Sequence, residues 1–280
     1  MMFANLHLHS VYSDAGFTPE QLALIGKAMG YGALALTDHE TDGGCREFAE
    51  ACRLEGIEPV TGTEFYAACG ERKMHLTALD FDPTEPALRQ LIDERCRLYA
   101  DWTKLCFEAC LAGGYFRDVS WEYVVELLGE GAWLCEDSVL YALRIQKKYS
   151  RELETRIHTE VFKSEEMWAL KPAYPQAADV IRAVRQAGGV IALAHSKVTQ
   201  YDFVEDIVDL GMNGIEVNHP SMTPEAVEMA EELAARRGLY RCGGTDHTGP
   251  MSCCPGRNAI FVENGISEED FRILKERRLG

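Results

Sequence analysis

Short apolar runs alternate with amphipathic stretches through about the first eighty residues. Ala4–Leu8 reads as a strand, and Pro19–Met29 as a helix with Thr18 as its N-cap, Pro19 at its first position and Leu22, Ile25 and Met29 on one face. Gly32–Thr37 is a second strand and Gly43–Leu54 a second helix, and Glu58–Tyr66 and Met74–Phe81 continue as strands. This rhythm predicts a parallel sheet or barrel. It stops between about Pro83 and Lys171, where helical stretches such as Glu85–Leu111, Trp121–Leu128 and Val139–Tyr149 follow one another and all four tryptophans fall. Alternation returns at Gln176–Ala187, a helix ended by Gly188 and Gly189. Strands Val190–Ala194, Gly214–Asn218 and Leu239–Gly243 follow, separated by helices near Phe203–Leu210 and Pro224–Arg237, with a last helix near Glu268–Arg277. The expected organisation is α/β: a barrel domain from residues 1–82 and 172–280, and a helical insertion, residues 83–171, with a core of its own.

A length of 280 residues suits one barrel-sized domain with such an insertion. The net charge of -17 argues against a basic groove for long nucleic acid, but not against a small phosphorylated ligand. No apolar run is long enough for a membrane span, and no secretory leader is legible, so a cytoplasmic protein is expected. The ten cysteines form no paired CxxC framework and read as reduced thiols.

Histidine placement carries the chemistry. Of eight histidines, seven fall at the ends of predicted strands, taken as the C-terminal mouth of a barrel, although His75 opens its strand rather than closing it. Only His158 lies among the helices. His7 and His9 are two apart, so both side chains point to one face of a strand. Asp14 follows in a turn, and Asp38 and His39 close the next strand. Glu64 lies in an apolar strand, where a carboxylate is costly unless paired or coordinated. His195, His219 and the pair Asp246–His247 each follow a strand. Any one of these has an ordinary explanation as a turn, cap or hydrogen-bonded core residue; together they point to metal. Imidazole with carboxylate suits zinc, iron or manganese, and so many donors imply two or three divalent ions.

The order of these motifs resembles the PHP (polymerase and histidinol phosphatase) superfamily. The resemblance rests on His7-Leu8-His9 with Ser13-Asp14, Thr37-Asp38-His39, Gly62-Thr63-Glu64, His75-Leu76, Ala194-His195, Gly214-Ile215-Glu216-Val217 and Gly244-Thr245-Asp246-His247, over about residues 3–81 and 172–250. It implies a distorted (βα)7 TIM-like barrel and a trinuclear site. One metal would be held by His7, His9, Glu64 and Asp246, a second by Glu64, His75 and His195, and a third by Asp14, His39 and His247. Two departures stand out. The family spaces its last Asp and His by one residue, whereas Asp246 and His247 are adjacent and face opposite ways unless the chain turns there; His219 is the alternative for the third site. Where relatives carry an arginine after the motif histidine, this chain has Ser196-Lys197, so Lys197 or Arg257 is expected to meet substrate phosphate. The implied activity is hydrolysis of a small phosphate ester, such as the nucleotide AMP, by a metal-bound hydroxide, with His195 or His219 assisting the leaving alcohol. Histidinol phosphate hydrolysis, short-oligonucleotide exonuclease activity and a non-catalytic metal-binding module are the alternatives. The sequence does not define the oligomeric state.

Overall fold

The computed structural model describes residues 2–145, 149–247 and 263–277. Seven strands lie in sequence order in one mixed sheet, nearly closed into a barrel: β1 (Ala4–Asn5), β2 (Ala33–Leu36), β3 (Glu58–Cys69), β4 (Arg72–Leu79), β5 (Val190–Leu193), β6 (Gly214–Asn218) and β7 (Tyr240–Gly243). Closure comes from the chain beyond β1. Leu6 N donates to Gly243 O (2.9 Å), Asp246 N to His7 O (2.9 Å), and Leu8 bridges to His247 in parallel. Gly244 makes that approach possible, since a Cβ there would lie 2.4 Å from His7 N.

The sheet is not wholly parallel, as the β-α rhythm predicted. β4 runs antiparallel to both β3 and β5, while the other pairings are parallel. No helix intervenes between β3 and β4, only a tight turn through Gly70, and a tight turn can join only antiparallel strands. The reversal has a consequence for His75: the start of β4 lies at the barrel end where the parallel strands finish. β1 is also shorter than Ala4–Leu8, because Thr37 Oγ1 takes over the bond from Leu8 N and interrupts the ladder.

Helices α1 (Pro19–Met29) and α2 (Cys45–Leu54) cover β2 through Leu22, Phe48 and Cys52. Thr18 and Gln21 form a reciprocal capping box at the start of α1. Helix α3 (Pro86–Ala112) is about 40 Å long at 1.5 Å per residue. Its first turns, Leu88 and Ile92, join the core around β3–β6. Its later turns, from Tyr99 to Cys110, join a separate hydrophobic cluster with α4 (Trp121–Leu128), α5 (Glu136–Ile145) and the π-helical turn Ile157–Phe162, which follows α6 (Arg151–Arg156). The short α7 (Glu165–Ala169) precedes the return to the barrel, where α8 (Ala177–Gln186), α9 (Val204–Asp209), α10 (Pro224–Arg237) and α11 (Glu268–Lys275) cover the remaining strands. The two parts are tied by a buried ion pair: Arg95 of α3 donates through Nε to both oxygens of Glu40, and through Nη1 to Ala173 O. The eight cysteines among the described residues are unbridged, and none of the described helices is long and apolar enough to cross a membrane.

Glu136, at the start of α5, is mostly buried and hydrogen-bonds His158 Nδ1. Burial pushes its carboxyl up to about 7, against the pull of Lys163 and Lys171, and burial likewise holds His158 below its ordinary range. Burial thus favours the neutral carboxyl and the neutral imidazole in this pair. Because the folded pKa lies above the usual 4.5, the unfolded chain gives up this proton first as pH rises. The stability contribution is therefore full in acid and is lost between about pH 4.5 and 7. Glu136→Gln, which retains a donor for His158, is expected to gain stability over the parent above pH 7 but not below pH 4.5. Thermal melts of both proteins across that range check it; a constant difference would contradict it.

Candidate metal centre

Each strand delivers a chemically active side chain to one end of the barrel. His7 and His9 follow β1, His39 follows β2, Glu64 lies in β3, His75 in β4, His195 follows β5, Glu216 and His219 come from β6 and its end, and Asp246 follows β7. At the centre is Glu64, only 1% exposed. Its Oε1 lies 3.0 Å from both His75 Nδ1 and His195 Nε2. Its Oε2 lies 3.3 Å from His7 Nε2, 3.3 Å from His9 Nε2 and 3.1 Å from His39 Nδ1. Burial opposes the charge on Glu64, but His7, His75 and His39 outweigh it and hold the carboxyl well below its usual range. Burial also works against a charge on His7, yet Glu64, Glu216 and Asp246 leave its pKa well above the ordinary value.

Donor atoms meet within 4.8 Å in four groups: His7, His9, Glu64 and Asp246; Glu64, His75 and His195; His9, Asp14 and His39; and His7, Glu216 and His219. The first two bring together the same residues as two of the ligand sets that the family resemblance implies. In the third, Asp14 and His39 meet His9 instead of His247. The backbone explains the difference. Asp246 takes a left-handed conformation (φ 47°), so the chain turns between the adjacent pair. Asp246 Oδ1 then faces His9 Nε2 at 3.1 Å and Oδ2 faces His219 Nε2 at 3.4 Å. The His247 ring lies almost parallel to Phe17, at 5.3 Å between centroids. His219 joins the cluster from the Asp246 side, not at Asp14 and His39. Lys197 lines the cavity above the cluster, and Arg257 lies outside the described residues.

A hydrogen-bonded core does not account for this arrangement. His7 Nε2 and His9 Nε2 stand 3.1 Å apart. Glu64 Oε2 faces three imidazole nitrogens at no more than 3.3 Å yet makes no hydrogen bond, and His9 Nδ1 and His39 Nδ1 are likewise buried without one. Lone pairs that converge without a shared proton repel unless a cation lies among them, so the donor set fits divalent ions.

The sequence assigns no role to Glu216, although it lies in the motif Gly214-Ile215-Glu216-Val217, and none to Trp133; it names Asp38 only beside His39. Glu216 accepts from His7 Nδ1 at 2.7 Å, leaving the His7 Nε2 lone pair directed into the cluster. Its other oxygen accepts the backbone N–H of His195 at 2.6 Å, where the backbone is left-handed (φ 32°). A carboxylate in the apolar run Gly214–Asn218 was the available signal, the same one that marks Glu64. Asp38 accepts from Ser10 N, Ser10 Oγ and Ser13 Oγ at 2.5–2.7 Å, pinning the turn that presents Asp14. The helical segment reaches the cluster as well. Trp133 N donates to Tyr12 O (2.8 Å) and its ring lies 5.4 Å from that of His39, which stacks on Tyr66 at 4.8 Å. Tyr66 in turn packs against Tyr99 and Trp133. No sequence spacing signals a contact between residues so far apart.

A barrel with buried imidazoles and carboxylates gathered at one end, their donor atoms unshielded, defines a metal-dependent hydrolase. The PHP domain family matches residues 5–132. The chain is 31% identical over 260 residues to the phosphoribosyl 1,2-cyclic phosphate 1,2-diphosphodiesterase of Eggerthella lenta, covering 91% of this chain and 97% of that protein. It is 26% identical over 267 residues to the 3',5'-nucleoside bisphosphate phosphatase of Chromobacterium violaceum, covering 88% and 87%. Its structure superposes on a protein assigned as a metal-dependent phosphoesterase from Bifidobacterium adolescentis with a TM-score of 0.80 at 25% identity, over 99% of this chain and 96% of the other. The chain belongs to the PHP domain family and is a metal-dependent hydrolase of phosphoric esters.

Glu216→Gln has one acceptor oxygen where two donors converge. It is expected to keep the fold and to weaken metal binding by about 10–100-fold, the usual effect of losing a partner behind a ligand. Metal titration alongside circular dichroism tests this; unchanged affinity would mean that Glu216 does not orient His7.

Proposed function

We propose that the protein hydrolyses a phosphate monoester of a small molecule, with a nucleotide such as AMP as a representative substrate, using two or three ions held by the cluster. The observation that carries this is Glu64, whose two oxygens divide five imidazoles between them, as a bridging ligand requires. His7, His9, Glu64 and Asp246 would hold one ion, and Glu64, His75 and His195 a second. Asp14 and His39, with His9 Nδ1 turned toward Asp14 at 3.7 Å, would hold a third. Zinc, iron and manganese all suit these donors, and ions bound there would activate water and offset charge on the phosphate oxygens.

His219 is assigned the proton-donating role. Its Nδ1 accepts from Ser221 N (3.1 Å) and lies 2.9 Å from Ser221 Oγ. That bond from an N–H places the imidazole proton on Nε2, beside Asp246 at the cavity floor. An Nε2–H in this position donates to a phosphate or leaving-group oxygen. His195, engaged with Glu64, is kept as a ligand. Residues 83–171 are read as an insertion that walls the cluster through Trp133 instead of contributing ligands. The Eggerthella and Chromobacterium relatives act on small phosphorylated compounds by their names, which supports a substrate of that size over a long nucleic acid.

Phosphate release is to be measured from AMP, adenosine bisphosphates, histidinol phosphate, short RNA and para-nitrophenyl phosphate, with manganese, iron or zinc. Metal-dependent release selective for a nucleotide is expected, and Glu64→Ala should lose both bound metal and activity. A fully metallated, active Glu64→Ala protein would sink the bridging assignment.

A further inference from the structure

The donor groups are not all supported in the same way. His7, Glu64, His75, His195 and Asp246 lie in the strands or just beyond them, where the barrel's own backbone holds them. Asp246 N donates to His7 O, and His75 sits in the β3–β4 ladder opposite Tyr66. Asp14 and His39 stand instead on two loops that leave the barrel, and the helical segment holds both.

The loop after His39 is gripped residue by residue. Glu40 is buried and left-handed (φ 51°), a conformation that a residue with a Cβ keeps only where its surroundings over-determine it. Two consecutive residues of α3 supply that constraint. Arg95 Nε donates to the Glu40 carboxylate oxygens at 3.0 and 3.1 Å, and Cys96 Sγ donates to Glu40 O at 3.3 Å. Thr41 Oγ1 donates to Gly131 O at 2.6 Å, and Asp42 accepts from Arg89 Nη1 at 2.7 Å. On the other loop, Trp133 N donates to Tyr12 O at 2.8 Å, and the Cys135 thiol approaches Ser13 O at 3.9 Å. Across these loops His39 Nε2 and Asp14 Oδ2 face each other at 3.6 Å.

Asp38 ties the two loops together through Ser10 and Ser13. The helical segment sets where the tied pair stands over the barrel. A ligand site tolerates displacements of only about 0.5 Å, so the side chains behind the donors decide whether it forms. We propose that Arg95 is a positioning residue for the third ion. By anchoring Glu40 it holds His39 against Asp14, so the helical segment governs occupancy of that site and leaves the first two ions to the barrel. The inference rests on the three-ion reading above.

The test is a titration of the full-length protein, stripped by chelation, with manganese alone. Free ion is read by electron paramagnetic resonance, bound ion by atomic emission, and folding by circular dichroism. The parent protein should bind three ions. The double variant Arg95→Met/Glu40→Gln removes both charges of the pair together, so no buried charge is left alone. It should keep two ions at parental affinity and hold the third about 10–100-fold more weakly, the range for losing a partner behind a ligand. Thr41→Val keeps the side-chain shape and loses the bond to Gly131; it should weaken the same ion by a smaller factor, and it decides alone if the double variant does not fold. Parental affinity for all three ions, or equal weakening of all three, overturns this inference alone. A parent protein that binds only two ions at saturation removes the third site and this inference with it, while the phosphoesterase reading stands. A parent protein that binds none overturns that reading as well.

Discussion

The architecture turns on one buried carboxylate. Glu64 lies inside the barrel mouth with imidazoles on both of its oxygens, and an ionised group so deprived of water is tolerable only where positive charge surrounds it. Four strands besides its own must therefore bring histidines beside it, β1 supplying two and β2, β4 and β5 one each. The reversed β4 satisfies this requirement by an unusual route. In a uniformly parallel sheet a residue near a strand's start, like His75, would lie at the far end of the barrel. In the hairpin it lies opposite Tyr66, two residues beyond Glu64. The left-handed residues His195 and Asp246 are a further sign of the same constraint. Backbone strain at the ends of β5 and β7 is retained where it aims a donor into the cluster.

The helical segment acts on this centre through packing. Its loop at Gly131–Trp133 accepts a hydrogen bond from Thr41 Oγ1 at 2.6 Å, donates to Tyr12 O and sets an indole beside His39. The Arg95–Glu40 pair does the same from α3, since Glu40 directly follows His39 and its backbone N–H bonds Glu64 O. The residues that position His39 thus come from both parts of the chain, and a change in the helical core would be felt at the cluster as a displaced ring.

The wall of the cavity above the cluster is made differently. It is built from the β3–β4 hairpin and the loops after β5 and β6, and it is cationic in a strongly acidic molecule. Walls of low dielectric focus such a field into the cleft, so a few cations suffice to draw an anionic ligand against the net charge of the whole protein.

Much of this was legible in the sequence. The period-2 and period-3.6 patterns located all seven strands and the barrel helices to within a few residues, because each element buries one face and its spacing follows from backbone geometry. His7, His9, Glu64, His75, His195 and Asp246 could be named in advance because polar, metal-binding side chains at the ends of apolar strands are costly without a purpose. Strand direction, the company kept by Asp14, His39 and His219, and the supporting contacts were not legible. Nothing in a run of residues states that β4 is reversed except the missing helix before it, and no spacing links Trp133 to His39 or Glu216 to His7. Whether Asp246 and His247 face one way or two depends on a single φ angle, which the packing of β7 against β1 fixes. Chemistry and periodicity are local properties of a chain and are written in it; register, direction and proximity arise only when distant segments compete for the same core, and the fold alone decided them.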